Sequence, residues 1–236
     1  MRTYTLFLAI LLTCVLHAQS FVADKNLLDA YLANDMSAWR AYIDAANWEQ
    51  ASDSERVHLL AYEYGYCAAL MDSDKTAAKP YVAQFHRHVE QMKTIVLPKG
   101  HYEMYMSAVY VYELRLHESF HPVKSLDLAR EAVKRAPTDP LTLTYCGMAL
   151  FYAPKPFGNK KEALQLFLRA EEIFRAPEWY YCWWRPAAMM FAAQCYDKQG
   201  NTAEAIRRCE TLLTEYPDYA FIRDIYLPGL TDRVQP

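Results

Sequence analysis

Residues 117–121 read His-Glu-Ser-Phe-His, the pattern by which one large class of zinc peptidases holds its metal. Two histidines one helical turn apart face the same way, so both imidazoles reach a single ion while the glutamate between them, Glu118, activates a metal-bound water. That chemistry has conditions. Both histidines must share one helix, and a third ligand must come from elsewhere, with Asp127 and Glu131 the nearest candidates. Pro122 follows His121 directly, and a residue before proline is pushed out of helical geometry, so the helix is expected to end near Phe120 and leave His121 in a turn. Ser119 also stands where these peptidases carry a bulky apolar residue. The stretch therefore reads as a helix terminus with His121 near the last carbonyls, and no metal, cofactor or catalytic residue is expected.

A second stretch with binding chemistry is Glu-Trp-Tyr-Tyr-Cys-Trp-Trp-Arg at 178–185. Trp179, Tyr180, Tyr181, Trp183, Trp184 and Arg185 fall between Pro177 and Pro186. Large aromatics with polar tips suit half-wet contact surfaces. They also suit filling the gap that a longer connection opens, with Trp184 a core residue of the following helix. The 19 tyrosines include Tyr62 with Tyr66 and Tyr102 with Tyr105, each pair on one helical face. Such rows either line a concave surface or pack with their hydroxyls reaching water. His86 and His88 fall on different helix faces, a poor chelate. Asp72, Ser73 and Asp74 read as a helix cap, since no downstream loop supplies calcium ligands in order. Nucleophile-elbow, phosphate-loop and dinucleotide fingerprints are absent from the sequence.

The elements that must position these residues are helices. Apolar residues recur at three- and four-residue steps in nearly every segment after Asp24. The spacing predicts helices over 24–34, 37–48, 53–71, 73–95, 99–118, 122–135, 139–152, 159–175, 186–198, 202–215 and 218–226. Pro137, Pro177 and Pro217 punctuate this pattern at intervals of 40 residues, and Pro98 lies 39 before the first. Ahead of the later prolines lie helices with small and medium apolar residues at steps of four and three: Ser125, Ala129 and Ala132; Ala163, Phe167 and Ala170; Ala205, Cys209 and Leu212. Small residues at those places let a second helix approach closely. Partner helices carry Leu143, Cys146, Gly147 and Leu150, then Met189, Ala192, Ala193 and Tyr196. Gly200 ends one helix and Asn201 or Thr202 caps the next.

With Ala163-x3-Phe167-x2-Ala170 and a closing Pro177, the chain resembles the tetratricopeptide repeat family, and segments 154–174 and 216–230 are similar to extracytoplasmic repeat proteins of Bacteroidetes-type bacteria. The resemblance runs from 122 to 230. It implies an all-α fold, a right-handed superhelical array of helical hairpins (an α-solenoid), with residues 19–98 a helical region holding a degenerate repeat around Gly65, Ala78, Val82 and Phe85, and 99–236 the repeats with a C-terminal capping helix. Glu113 stands where the first unit would carry glycine, and Cys146 and Cys209 replace larger apolar residues.

Length and composition set the outer bounds. With 236 residues, 53% of them hydrophobic, and only 6 glycines, the chain has the makings of a packed core. Arg2, an apolar run from Leu6 to Leu16, then Ala18 and Ser20 read as a secretory signal over 1–18, with Cys14 a poor lipid-attachment site because Thr13 precedes it. Losing that segment removes one base and no acid, leaving a net charge of about −4, which gives no reason to expect nucleic acid or an anionic membrane. Beyond the signal no apolar run reaches transmembrane length. The remaining cysteines, Cys67, Cys146, Cys182, Cys195 and Cys209, form no CxxC pair, and most of them read as buried thiols. The expected function is a non-enzymatic, periplasmic or secreted scaffold for a protein or peptide partner in the cell envelope, with the aromatic stretch from Trp179 to Arg185 as its contact. Capture of a small solute in a tyrosine-lined concavity is the alternative, and a zinc peptidase ranks third.

Overall fold

The computed structural model describes residues 25–94, 98–117 and 122–234. The predicted signal segment and residues 118–121 of the His-Glu-Ser-Phe-His stretch lie outside them. Among the described residues the fold is all-α, with helices and no strands. In chain order the helices are α1 (25–32), α2 (Ser37–Ala45), α3 (Asp53–Ser73), α4 (Lys75–Gln91), α5 (His101–Arg115), α6 (Pro122–Arg135), α7 (Pro140–Tyr152), α8 (Lys160–Ile173), α9 (Trp184–Lys198), α10 (Thr202–Glu215) and α11 (Leu227–Asp232).

Side-chain caps fix five of the helix starts. Ser52 and Glu55 form a reciprocal capping box at α3, each satisfying a backbone amide of the other. Asp74 accepts from the amides of Thr76 and Ala77 at the start of α4, and Asn159 and Asn201 do the same for α8 and α10. Asp139 caps α7 through the Thr142 amide at 2.8 Å, with Pro140 in the first position, where its missing N–H costs nothing. Gly200 takes the left-handed conformation (φ 85°) that closes α9.

Consecutive helices pack as hairpins: α3 with α4, α5 with α6, α7 with α8, α9 with α10. The second helix of each hairpin also touches the first helix of the next, and α3, α5, α7 and α9 touch one another in succession, forming an inner row backed by α4, α6, α8 and α10. The small residues marked in the sequence lie at these seams: Ala129, Ala132, Ala163, Ala170, Ala192, Ala193 and Ala205 are fully buried. At Gly147 the ring of Phe167 lies so close that a Cβ would stand 2.6 Å from it. One continuous apolar core runs from Leu27 to Leu230.

The N-terminal helices, for which the sequence gives no repeat phase, turn back onto the inner row. Leu27, Leu28 and Leu32 of α1 and Trp39 and Ile43 of α2 are buried. The Trp39 indole donates to the carbonyl of Leu27 at 2.7 Å, which locks the two helices together. At the opposite end, Phe221–Tyr226 forms a π-helical turn that runs directly into α11. No helix among the described residues is long and apolar enough to cross a membrane.

Candidate functional site

The aromatic stretch enters α9 through a 3-10 turn at Pro177–Trp179. Its residues divide into two sets. Trp183 and Trp184 are buried, at 6% and 1% exposure, and stack on each other with ring centroids 4.5 Å apart. Trp184 lies flat on Tyr64 of α3 at 5.0 Å. Trp183 meets Trp39 at 5.2 Å and Tyr31 at 5.5 Å. The tryptophan pair thus clasps the N-terminal helices against the inner row. This close approach needs Gly65, where a Cβ would stand 2.4 Å from Trp39 and 3.1 Å from Trp183. Tyr31 extends the clasp to the C-terminal end, its hydroxyl 2.7 Å from that of Tyr219. Burial pushes the Tyr31 phenol up to about 12.

The second set lies nearer the surface, with only Tyr180 exposed. Tyr180 is 58% exposed and meets Tyr181 edge-on at 4.9 Å. Trp179 is half-buried, its ring edge-on to Phe174 at 5.6 Å. Arg185 pairs with Glu215, and its guanidinium lies 6.0 Å from the Tyr180 ring and 5.9 Å from that of Tyr216. Trp179, Tyr180, Tyr181 and Arg185 therefore form a half-wet rim, and Trp183 and Trp184 form its buried support.

At the His-Glu-Ser-Phe-His stretch, α5 ends at Arg115 and His117 takes a left-handed backbone (φ 61°). His117 therefore lies beyond the helix, and α6 is described from Pro122. The single helical face that a two-histidine zinc motif needs is broken at its first member. Asp127 and Glu131 lie on α6, where Glu131 is held by Arg135 at 2.9 Å. Among the described residues, no three His, Cys, Asp or Glu side chains gather in a way that would hold a metal ion.

The tyrosines predicted to share faces divide as well. Tyr62 is buried against Trp39, edge-on at 5.0 Å. Tyr66 and Tyr81 of α4 pack edge to face at 4.8 Å. They belong to an open groove of about 520 Å³ between α2, α3 and α4. Its polar lining is Arg40, Asp44, Tyr66, Tyr81 and Gln84. The Tyr81 hydroxyl donates to Asp44 at 3.0 Å, and Gln84 donates to the buried carboxylate of Glu63 at 2.8 Å. Burial, then the neighbouring Asp44 carboxylate, raises the Tyr81 phenol above its ordinary value. Sequence reasoning missed this groove because its members come from three elements. The one local signal was the i,i+4 spacing of Arg40 and Asp44 on α2.

Cys67, Cys146, Cys195 and Cys209 are buried, none of the five thiols is in a disulfide, and burial pushes Cys146, Cys195 and Cys209 up to about 12. No family model matches the chain, and no curated protein matches its sequence.

Proposed function

We propose that the chain is a non-enzymatic scaffold of the cell envelope, a right-handed superhelical array of tetratricopeptide-like hairpins that offers a fixed surface to a protein or peptide partner. The observation that carries this reading is the packing order. Each hairpin touches the next, and the first helices α3, α5, α7 and α9 form one row. A row of that kind adds contact area in a constant orientation with each unit. The secretory-type reading of residues 1–18 supports a location outside the cytoplasm. Because α1, α2, Trp183 and Trp184 fill the inner face beside α3, the partner surface is assigned to the half-wet rim of Trp179, Tyr180 and Tyr181 beside Arg185. Tyr180, more than half exposed on a well-packed base, is its centre.

The test is capture of partners from a cell-envelope extract by the tagged mature chain, comparing wild type with Tyr180→Ala/Tyr181→Ala. The buried tryptophans are left in place, since removing them would unfold the base. Loss of a specific partner from the variant supports the rim; an unchanged set of partners removes it. A second reading, capture of a small solute, rests on the open α2–α3–α4 groove, which brings Arg40, Asp44, Tyr66, Tyr81 and Gln84 together beside Leu70, Ala77 and Pro80.

A further inference from the structure

The α2–α3–α4 groove carries a recognisable charge pattern. Arg40 and Asp44 stand one helical turn apart on α2, with side chains 64% and 48% exposed, and meet through Arg40 Nε at 3.3 Å. That distance is at the long end for an N–H to oxygen bond. An exposed pair held this loosely opens at little cost when a better partner arrives. Asp44 also accepts from the Tyr81 hydroxyl, at 3.0 Å and 3.4 Å to its two oxygens, so its carboxylate stays in place if Arg40 swings away. Each of its oxygens has lone-pair capacity for one more donor. Behind the two charges lies an apolar strip of Leu70, Ala77 and Pro80, flanked by the Tyr66–Tyr81 ring pair. Pro80 lies inside α4 and supplies no amide to the carbonyl one turn before it, that of Thr76.

A ligand with one charge would be drawn by one of these side chains and repelled by the other. A ligand with adjacent opposite charges satisfies both, because a guanidinium fork matches a carboxylate and a carboxylate accepts from an ammonium. We infer that this groove binds a free α-amino acid with an apolar side chain, its carboxylate on Arg40, its ammonium on Asp44, and its side chain on the Leu70–Ala77–Pro80 strip beside Tyr81. This inference rests on the solute-capture reading and gives that reading a ligand class.

The intact mature chain, isotopically labelled, is titrated with L-leucine and followed by amide and side-chain NMR. Saturable shifts confined to α2, α4 and the facing part of α3 are expected. N-acetyl-leucine, which lacks the ammonium, and leucine amide, which lacks the carboxylate, are each expected to bind at least about tenfold more weakly. Arg40→Gln and Asp44→Asn, both at exposed positions, are expected to cost about the same factor while leaving the remaining resonances in place. Equal binding of leucine and either blocked derivative overturns the inference, and so does leucine binding untouched by both variants. If leucine shifts nothing but a neutral sugar shifts the groove resonances, the ligand class is wrong while solute capture stands. If no added solute shifts them, the inference and the capture reading fall together.

Discussion

Gly65 shows how much a single hydrogen can hold. Its missing side chain lets Trp39 and Trp183 converge on α3, and a methyl there would intrude on two ring edges that are themselves pinned by Tyr31, Tyr62 and Trp184. Neither indole has room to retreat, so Gly65→Ala is expected to destabilise the chain by about 1–3 kcal/mol, the usual cost of overpacking a tight core. Gly229 is the control. It lies inside α11 with nothing near the position a Cβ would take, so Gly229→Ala is expected to be neutral or to stabilise by up to about 1 kcal/mol through helix propensity. Urea unfolding of the two variants reads the difference, and equal midpoints would mean that the indoles do not press on α3. The thiols make a second residue-scale test. Cys67, Cys146, Cys195 and Cys209 are buried and held protonated by desolvation, whereas Cys182 is partly exposed. A thiol reagent added to the native mature chain at about pH 8 is expected to label Cys182 first and the other four only on unfolding. Mass mapping of the label decides it.

Between elements, Asp139 does the work of a cap and a tie. Its carboxylate accepts from the Thr142 amide at the start of α7 and from His101 Nε2, at 3.2 Å, on the first turn of α5. Asn159 caps α8 through the Lys161 and Glu162 amides without such a tie to another hairpin's inner helix. Asn159→Ala is expected to cost about 1 kcal/mol, and Asp139→Ala measurably more, up to about 2 kcal/mol. The same denaturation midpoints rank them, and a reversed order would mean that the His101 contact contributes nothing. Caps of this kind are also why the elements could be read from sequence. Asp74, Asn159, Asn201 and Gly200 lie where local chemistry demands them, and the predicted starts at 37, 53, 122 and 202 match the helices found. Local signals failed where the cause is not local. The spacing ends the last helix at 226, yet the π turn over Phe221–Tyr226 runs directly into α11, with Pro228 in its first turn. The spacing placed the start of α9 at Pro186, whereas it begins at Trp184 because both tryptophans pack inward on α3. The aromatic stretch could be picked out by composition. Its division into buried Trp183 and Trp184 and outward Tyr180 could not, because that division is made by Tyr31, Trp39 and Tyr64, more than a hundred residues away.

Across the whole molecule, burial of weak acids links stability to alkaline pH. Tyr31, Cys146, Cys195 and Cys209 are each pushed up to about 12 from ordinary values of 10.0 and 9.0. The folded chain holds these protons more tightly than the unfolded one, so their contribution is complete below the unfolded values and is lost as pH rises from there toward the folded values. Each group then removes at most about 1.4 kcal/mol per pH unit. Urea midpoints are expected to be flat between about pH 7 and 8.5 and to fall steeply above about pH 9. A flat profile to about pH 11 would mean that these groups are solvated. The joining of the chain's two ends has a kinetic consequence. In a linear array each unit leans only on its neighbours, so the terminal helices open first. Here α1 lies under Trp183 and reaches Tyr219, 188 residues along the chain. Opening either end therefore breaks contacts of the other. In native-state hydrogen exchange, residues 25–32 are expected to be protected to the level of α3 rather than to fray. Tyr31→Ala is expected to lower protection at 25–32 and at 219–226 together, while α6, which packs on α5 and α7, keeps its own. If α1 exchanges within seconds in the wild type, or the variant loosens only its own end, the ends are not coupled and the molecule behaves as an open array.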